Sequence, residues 1–250
     1  ALEFIKFGRH FKPKNNFNLH KLKTLKQVIW ESEKSLCKLP DCVEYIVFGD
    51  YYHKSLKHKL PQSLKYIEFG IKYNKPLPKL PKFVEYIKFG EDYNHILPNN
   101  LPDSIKCIEF GKKYNQKLPT KLPKSLLFIF FGINYNEKLP ETLPDSIQQI
   151  HFESSCSKSL PKKLPKSLKK IYIDYNVPQK MIKNEYIVQQ NDHKISINRN
   201  GHLFEIKIRG ARKCLDQDKY LVSRIENSKI KHRYLDIVIM QKELNKMLKK

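Results

Sequence analysis

Apolar residues recur along this chain in blocks of about 21 residues, not in a simple helical or alternating period. Each block carries the pattern L-x-x-I-x-F, followed in most blocks by Gly, then Tyr-Asn, then two Leu-Pro pairs. The blocks begin at leucines spaced 21, 20, 21, 21, 21 and 21 residues apart: Leu39, Leu60, Leu80, Leu101, Leu122, Leu143 and Leu164. Repeats of this length are typical of solenoids, in which each turn packs on its neighbours.

Each block predicts one short strand and a return limb without a helix. In the first complete block, Val43, Ile46 and Phe48 face inward and the residues between them face outward. The inward isoleucine column runs through nine turns: Ile5, Val28, Ile46, Ile67, Ile87, Ile108, Ile129, Ile150 and Ile171. Proline fixes φ and removes a backbone donor, which favours a polyproline-like return side. The predicted fold is therefore mainly β, a leucine-rich-repeat-like right-handed solenoid of about nine 21-residue turns with a parallel sheet.

Two polar or small columns accompany the strands. Glycine follows the strand at Gly49, Gly70, Gly90, Gly111 and Gly132. We expect these glycines to turn the chain away from the sheet through a positive φ. Asparagine recurs on the return limb at Asn74, Asn94, Asn115 and Asn136. We expect the stacked amides to satisfy buried backbone groups of adjacent turns.

The repeat stops before the last quarter of the chain. We predict a repeat solenoid over residues 1–177 and a small α+β capping region over residues 178–250. Alternating apolar residues around an Asn-Gly turn predict a hairpin at 194–208. Apolar residues at helical spacing predict an amphipathic helix at 234–249.

The repeated Tyr-Asn-x-x-Leu-Pro core resembles the FNIP repeat, a leucine-rich-repeat relative named for Phe-Asn-x-x-Ile-Pro. The resemblance covers about residues 2–176. It implies a protein-interaction module of amoebae and large DNA viruses, often placed behind an F-box in ubiquitin-ligase subunits. The chain opens within a repeat and shows no F-box, so we expect any such domain to lie upstream of Ala1.

The chain carries a large positive charge. With 48 Lys and Arg against 25 Asp and Glu, the net charge is +23, which attracts polyanions. Nonspecific nucleic-acid binding is therefore an alternative function, although A+T-rich codon usage and a solvated edge explain the lysines equally simply. The candidate polyanion-binding residues are Lys38, Lys59, Lys79, Lys121, Lys163, Arg209, Arg212 and Lys213.

Outward positions of the strands supply the candidate partner-binding surface. An exposed apolar cluster on a regular sheet marks an interaction site, and another protein is the expected partner of a concave sheet face. The candidate residues are Tyr45, Tyr66, Tyr86, Leu127, Phe128, Phe130, His151 and Tyr172. Two alternatives remain for these residues: the C-terminal region covers them, or a register error turns the rings inward. Beside them Glu and Lys alternate, and we expect those charges to pair across strands.

No residue pattern points to catalysis, a cofactor or a metal. The chain lacks a Gly-rich phosphate loop and a Ser/His/Asp order, and its five cysteines are scattered. No apolar run approaches the length of a membrane span. We expect a non-enzymatic protein inside the cell, in the cytoplasm or nucleus. A structural component of a virion is a third hypothesis.

Overall fold

A parallel sheet runs the length of the repeat region. The structure, a computed structural model, describes residues 2–14, 17, 19–153, 160–161 and 163–173, and the backbone of 186–191, 194–199 and 202–208. The repeat strands are β1 (Phe4–Phe7), β2 (Gln27–Trp30), β3 (Tyr45–Phe48), β4 (Tyr66–Glu68), β5 (Tyr86–Lys88), β6 (Cys107–Glu109), β7 (Phe128–Phe131), β8 (Gln149–Phe152) and β9 (Lys170–Ile173). Each pairs in parallel with the next, in sequence order. The predicted mainly β, leucine-rich-repeat-like solenoid is confirmed.

The isoleucine column forms the centre of the core. Register pairs Ile46 with Ile67, Ile67 with Ile87, and so on along the stack. From Val28 to Ile171, the column members are at most 1% exposed. Burying an aliphatic side chain of this size contributes about 1.5–3 kcal/mol. Because each turn buries its column residue only against its neighbours, stability depends on stacking.

Two aromatic ladders complete the core. The Phe column stacks along the solenoid axis, with ring centroids of Phe69 and Phe89 separated by 5.7 Å and planes 10° apart. Beside it, Tyr73 and Tyr93 stack at 6.3 Å, and Phe89 lies 4.0 Å from Tyr93. The tyrosines of this second ladder are almost fully buried: Tyr52, Tyr73, Tyr93, Tyr114 and Tyr135. Tyrosine of the Tyr-Asn motif is therefore a core residue.

The positions after strands β3 to β7 require glycine because a larger residue would clash with the neighbouring turn. None of them adopts a left-handed φ, so the predicted reason for glycine was wrong. A Cβ on Gly90 would lie 1.9 Å from the carbonyl oxygen of Gly70, and a Cβ on Gly70 would lie 2.1 Å from that of Gly49. Such distances are far inside van der Waals contact, so only glycine allows consecutive turns to approach this closely.

The asparagines of the return limb form a hydrogen-bonded ladder. The side-chain oxygen of Asn74 accepts from the backbone N–H of Asn94 at 3.1 Å, and that of Asn94 accepts from Asn115 at 2.9 Å. The Asn115 oxygen continues the ladder to the N–H of Asn136 at 2.8 Å. The predicted role is confirmed, although Asn74, Asn115 and Asn136 are exposed and not buried.

Three further strands extend the same sheet. They are β10 (Tyr186–Asn191), β11 (Lys194–Arg199) and β12 (His202–Ile208). Strand β12 pairs in parallel with β9, and β11 pairs antiparallel with both β12 and β10. Residues 1–208 make up one compact unit. The predicted boundary at 177/178 and the predicted helix at 234–249 lie outside the described residues.

Candidate functional site

Three columns of side chains line the outer face, the side of the repeat sheet opposite the core. The first column reads Lys26, Glu44, Lys65, Glu85, Lys106, Leu127, Gln148 and Lys169; the middle column reads Phe4, Gln27, Tyr45, Tyr66, Tyr86, Cys107, Phe128, Gln149 and Lys170; the third column reads Lys6, Ile29, Val47, Glu68, Lys88, Glu109, Phe130, His151 and Tyr172. Parallel register brings like positions of neighbouring strands about 4.8 Å apart, so side chains of one column contact each other directly.

Charges of the first column pair across strands, as the alternation predicts. Glu44 accepts from Lys65 at 2.7 Å and from Lys26 at 2.9 Å. Burial alone would raise the pKa of Glu44, but the hydrogen bonds from Lys65 and Lys26 lower it overall. Glu85 pairs with Lys106 at 3.0 Å. These charges therefore satisfy one another on the outer face.

A network of charges and phenols occupies the middle of the outer face. Lys88 lies 3.4 Å from Glu109 and 4.0 Å from Glu68. The Tyr66 hydroxyl donates to Glu68 at 2.8 Å, and the Tyr86 hydroxyl donates to Glu109 at 2.6 Å. Burial, together with the Glu109 charge, raises the pKa of Tyr86 well above its usual value. The two phenols therefore act as donors to carboxylates of the face and are held in place by them.

The predicted exposed aromatic column needs correction. Tyr66 and Tyr86 are 5% and 9% exposed, and Phe128 and Tyr172 are 3% and 2% exposed. The rings of Tyr66 and Tyr86 stack at 4.9 Å, so each covers much of the other. The pleat places all four residues on the outer face, but all four are buried, Tyr66 and Tyr86 through their mutual stacking. Four of the eight candidate partner-binding residues remain partly exposed: Tyr45, Leu127, Phe130 and His151.

Strands β7 and β8 present a patch without charged side chains. We define the uncharged patch as Leu127, Phe130, Gln148, Gln149 and His151, all of which are partly exposed. The His151 ring lies 4.4 Å from that of Phe130 and 4.2 Å from that of Tyr172. The structure therefore brings Phe130, His151 and Tyr172 together, with Leu127 in the first column of the same face, while Tyr45, Tyr66 and Tyr86 belong to the charge-paired part.

The predicted lysine row lies away from the outer face. Five of its members are exposed and make no ion pair with another described residue: Lys38, Lys59, Lys79, Lys121 and Lys163. On the outer face, by contrast, Lys26, Lys65, Lys88 and Lys106 all pair with Glu. Two outer-face lysines next to β8, Lys169 and Lys170, also make no ion pair with another described residue, so unpaired positive charge lies both in the lysine row and at the β9 end of the outer face. Candidate residues Arg209, Arg212 and Lys213 lie outside the described residues.

The described side chains form no arrangement that suggests chemistry. Burial raises the pKa of the Cys107 thiol well above its usual value, which keeps the sulfur protonated and unreactive. Cys37, Cys42 and Cys107 are free thiols. Within the part of the chain that the structure describes, no group of three or more His, Cys, Asp or Glu could hold a metal ion. Likewise, that part contains no helix long and apolar enough to cross a membrane.

The sequence pattern predicted the outer face, but two features of the repeat region were missed. The carboxylate partners of Tyr66 and Tyr86 were not anticipated, although Glu68 and Glu109 occupy the adjacent column. A cleft between the second and third turns was also missed. Its signal is the loss of proline from the first Leu-Pro pair, at Cys37 and Lys57.

Comparison with known proteins identifies the repeat. The model of the FNIP repeat matches residues 36–72, 73–113 and 93–134. Comparison with curated proteins gave no significant match. Among solved structures, the chain is similar to CroV588, described as a novel circular LRR protein, at 19% identity and a TM-score of 0.43. That alignment covers 83% of this chain and 43% of the other, so this chain spans less than half of its length.

Proposed function

We propose that this chain, which matches the FNIP repeat over residues 36–134, is a protein-binding scaffold that binds its partner with the outer face of the sheet. The observation that carries this proposal is the uncharged patch, which follows the charge-paired part of the outer face. Partly exposed aromatic and aliphatic side chains at the centre of a regular surface are typical binding hot spots. The neighbouring charged columns would set orientation and exclude partners of unsuitable charge.

Charge placement on the patch tests the scaffold function. Leu127→Glu with Phe130→Glu would introduce two carboxylates where an apolar partner surface docks, without changing the core. We expect this variant to lose the proteins that the unaltered chain captures in affinity purification. The matched control is Ile96→Glu with Ile133→Glu, since both isoleucines are exposed but lie off the strands. If both variants captured the same proteins equally well, the outer face would not be the binding surface.

A narrower form of this proposal makes the scaffold the substrate-recognition part of an F-box ubiquitin-ligase subunit. Its support is the FNIP repeat alone, through the association of such repeats with F-box proteins. In cells that produce the full-length protein, the captured partner should be ubiquitinated, and Leu127→Glu with Phe130→Glu should lengthen its half-life. A partner that is bound but never ubiquitinated would be consistent with the scaffold function and would contradict the ubiquitin-ligase role.

Nonspecific nucleic-acid binding is the second candidate function, supported by the exposed, unpaired lysine row. Lysine is a strongly hydrated point charge and lacks the planar fork with which arginine reads bases and phosphates. We therefore expect weak binding without base preference and with a steep salt dependence. Changing Lys59, Lys79 and Lys121 to Gln should flatten the slope of log K against log salt by about 0.9 per lost duplex contact. An unchanged slope would show that the lysine row does not bind nucleic acid.

A further inference from the structure

A shallow cleft opens on the return side, between the second and third turns. We define the basic cleft as the shallow surface depression lined by Leu36, Cys37, Leu56, Lys57, His58 and Lys59. The floor is apolar, with a buried Leu36 and a partly exposed Leu56 and Cys37, whereas the rim residues are exposed. Burial raises the pKa of the Cys37 thiol to about 11, so the floor is uncharged at neutral pH.

The cleft exists because the repeat motif changes in these two turns. Leu36-Cys37 and Leu56-Lys57 occupy the place of the first Leu-Pro pair of later turns, such as Leu97-Pro98 and Leu118-Pro119. Leu97 and Leu118 are 2% and 7% exposed, while Leu56 is only partly buried. Loss of two adjacent proline rings therefore uncovers the leucine layer at this point of the return side.

The turns that form the basic cleft carry many lysines without acidic partners, and two of them, Lys57 and Lys59, line the cleft itself. Nine exposed lysines of the first three turns make no ion pair with another described residue: Lys12, Lys14, Lys21, Lys23, Lys34, Lys38, Lys54, Lys57 and Lys59. Of the five carboxylates between residues 8 and 60, Glu31, Glu33 and Glu44 already pair with Lys or Arg. Asp41 and Asp50 are the other two. The field at the cleft is therefore strongly positive.

We propose that the basic cleft docks an acidic segment of another protein, with an aliphatic side chain of that segment on the leucine floor and its carboxylates against Lys57 and Lys59. Charge complementarity supplies the attraction, and the floor supplies the preference for an apolar residue. Among the lining residues, His58 supplies the one aromatic ring, and no Phe, Tyr, Trp or Arg offers a broad flat face. Since nucleic-acid bases bind best on flat aromatic or guanidinium faces, an acidic peptide fits this surface better than a nucleic acid.

This second docking surface goes beyond the proposed function, because it lies on the return side and not on the outer face. A partner could engage the uncharged patch and the basic cleft together only through two separate segments. A negative result for one surface therefore does not bear on the proposal for the other surface. Leu127→Glu with Phe130→Glu should not change binding at the cleft.

Fluorescence anisotropy with defined probes tests the basic cleft. The first probe is a short labelled peptide in which Glu alternates with Leu; the second has Ser in place of every Leu; the third is a single-stranded oligonucleotide of equal charge. The variant is Lys57→Glu with Lys59→Glu. The matched control is Lys117→Glu with Lys138→Glu, two exposed lysines that precede intact Leu-Pro pairs.

We expect the leucine peptide to bind more tightly than the serine peptide and the oligonucleotide. Lys57→Glu with Lys59→Glu should weaken binding of the leucine peptide by about 10-fold or more. The control pair of substitutions should weaken it by less than about 2-fold. The milder variant, Lys57→Gln with Lys59→Gln, should also weaken binding of the leucine peptide more than the control pair does. Equal weakening by both pairs, equal binding of the serine peptide, or tighter binding of the oligonucleotide would each overturn the proposal.

Discussion

Gly90 shows how a single hydrogen atom sets the spacing between turns. A Cβ at this position would lie 1.9 Å from the Gly70 carbonyl oxygen, so Gly90→Ala must push two turns apart. We expect Gly90→Ala to lower the free energy of unfolding by about 1–3 kcal/mol, as overpacking does. Gly8→Ala is the matched control, since Gly8 follows β1 but nothing lies within 4 Å of its added carbon. Urea unfolding that shows equal losses would contradict this account.

Gln27 is a polar residue in an apolar setting. It lies in the middle column of the outer face, is 0% exposed, and neither side-chain polar atom has a hydrogen-bond partner among the described residues. Replacing an unsatisfied buried amide with an apolar group of similar shape removes its desolvation cost. We expect Gln27→Met to raise the free energy of unfolding by about 1 kcal/mol. Gln149→Met, at a partly exposed position of the same column, should give no such gain in thermal unfolding.

At the level of the strand, the sequence determined which face each residue occupies but not how far neighbours cover it. The L-x-x-I-x-F pattern placed Ile67 and Phe69 in the core correctly, because side-chain direction alternates with period two. It could not show that Tyr66 and Tyr86 bury each other, since that depends on ring stacking between strands far apart in sequence. The same limit applies to the glycines, whose neighbours are carbonyl groups one turn away.

The asparagine ladder is an element whose links can be removed one at a time. Asn94 accepts from the N–H of Asn115 at 2.9 Å and from the side chain of Gln116 at 3.2 Å. We expect Asn94→Ala to cost about 1 kcal/mol and to speed hydrogen exchange of the Asn115 amide. Asn134→Ala is the control, because Asn134 is also exposed on the return limb but lies outside the ladder. Similar exchange rates in both variants would mean that the ladder does not protect this amide.

Over the whole repeat stack, charge is segregated by surface. From β2 to β6 the outer face pairs its Glu with Lys of the same column, whereas the five lysines of the row, Lys38, Lys59, Lys79, Lys121 and Lys163, have no acidic partner among the described residues. A partner of the outer face therefore meets a locally neutral surface from β2 to β6 and two unpaired lysines, Lys169 and Lys170, beside the uncharged patch, while the lysine row attracts polyanions. The net charge could be predicted from composition, but its distribution could not, because that depends on which lysines meet a carboxylate on the neighbouring strand.

Buried tyrosines should make the stack as a whole sensitive to alkali. Burial raises the pKa of Tyr52 to about 12 and raises the pKa values of Tyr73, Tyr93 and Tyr114 further. Because the folded-state pKa exceeds the unfolded value of 10.0, this stability is fully present below pH 10 and is lost as pH rises through the folded pKa values. We expect tyrosinate absorbance to increase and the circular dichroism of the folded chain to decrease together, in one step above pH 10.

Tyrosine replacement separates ionisation from general alkaline unfolding. The hydroxyls of Tyr93 and Tyr114 have no hydrogen-bond partner among the described residues, so Tyr93→Phe with Tyr114→Phe should preserve or raise stability at neutral pH. The same variant should lose stability less steeply above pH 10, because two fewer protons distinguish the folded from the unfolded state. If its slope matched that of the unaltered chain, or if all tyrosines ionised near pH 10 with the fold intact, the buried ladder would not control alkaline stability.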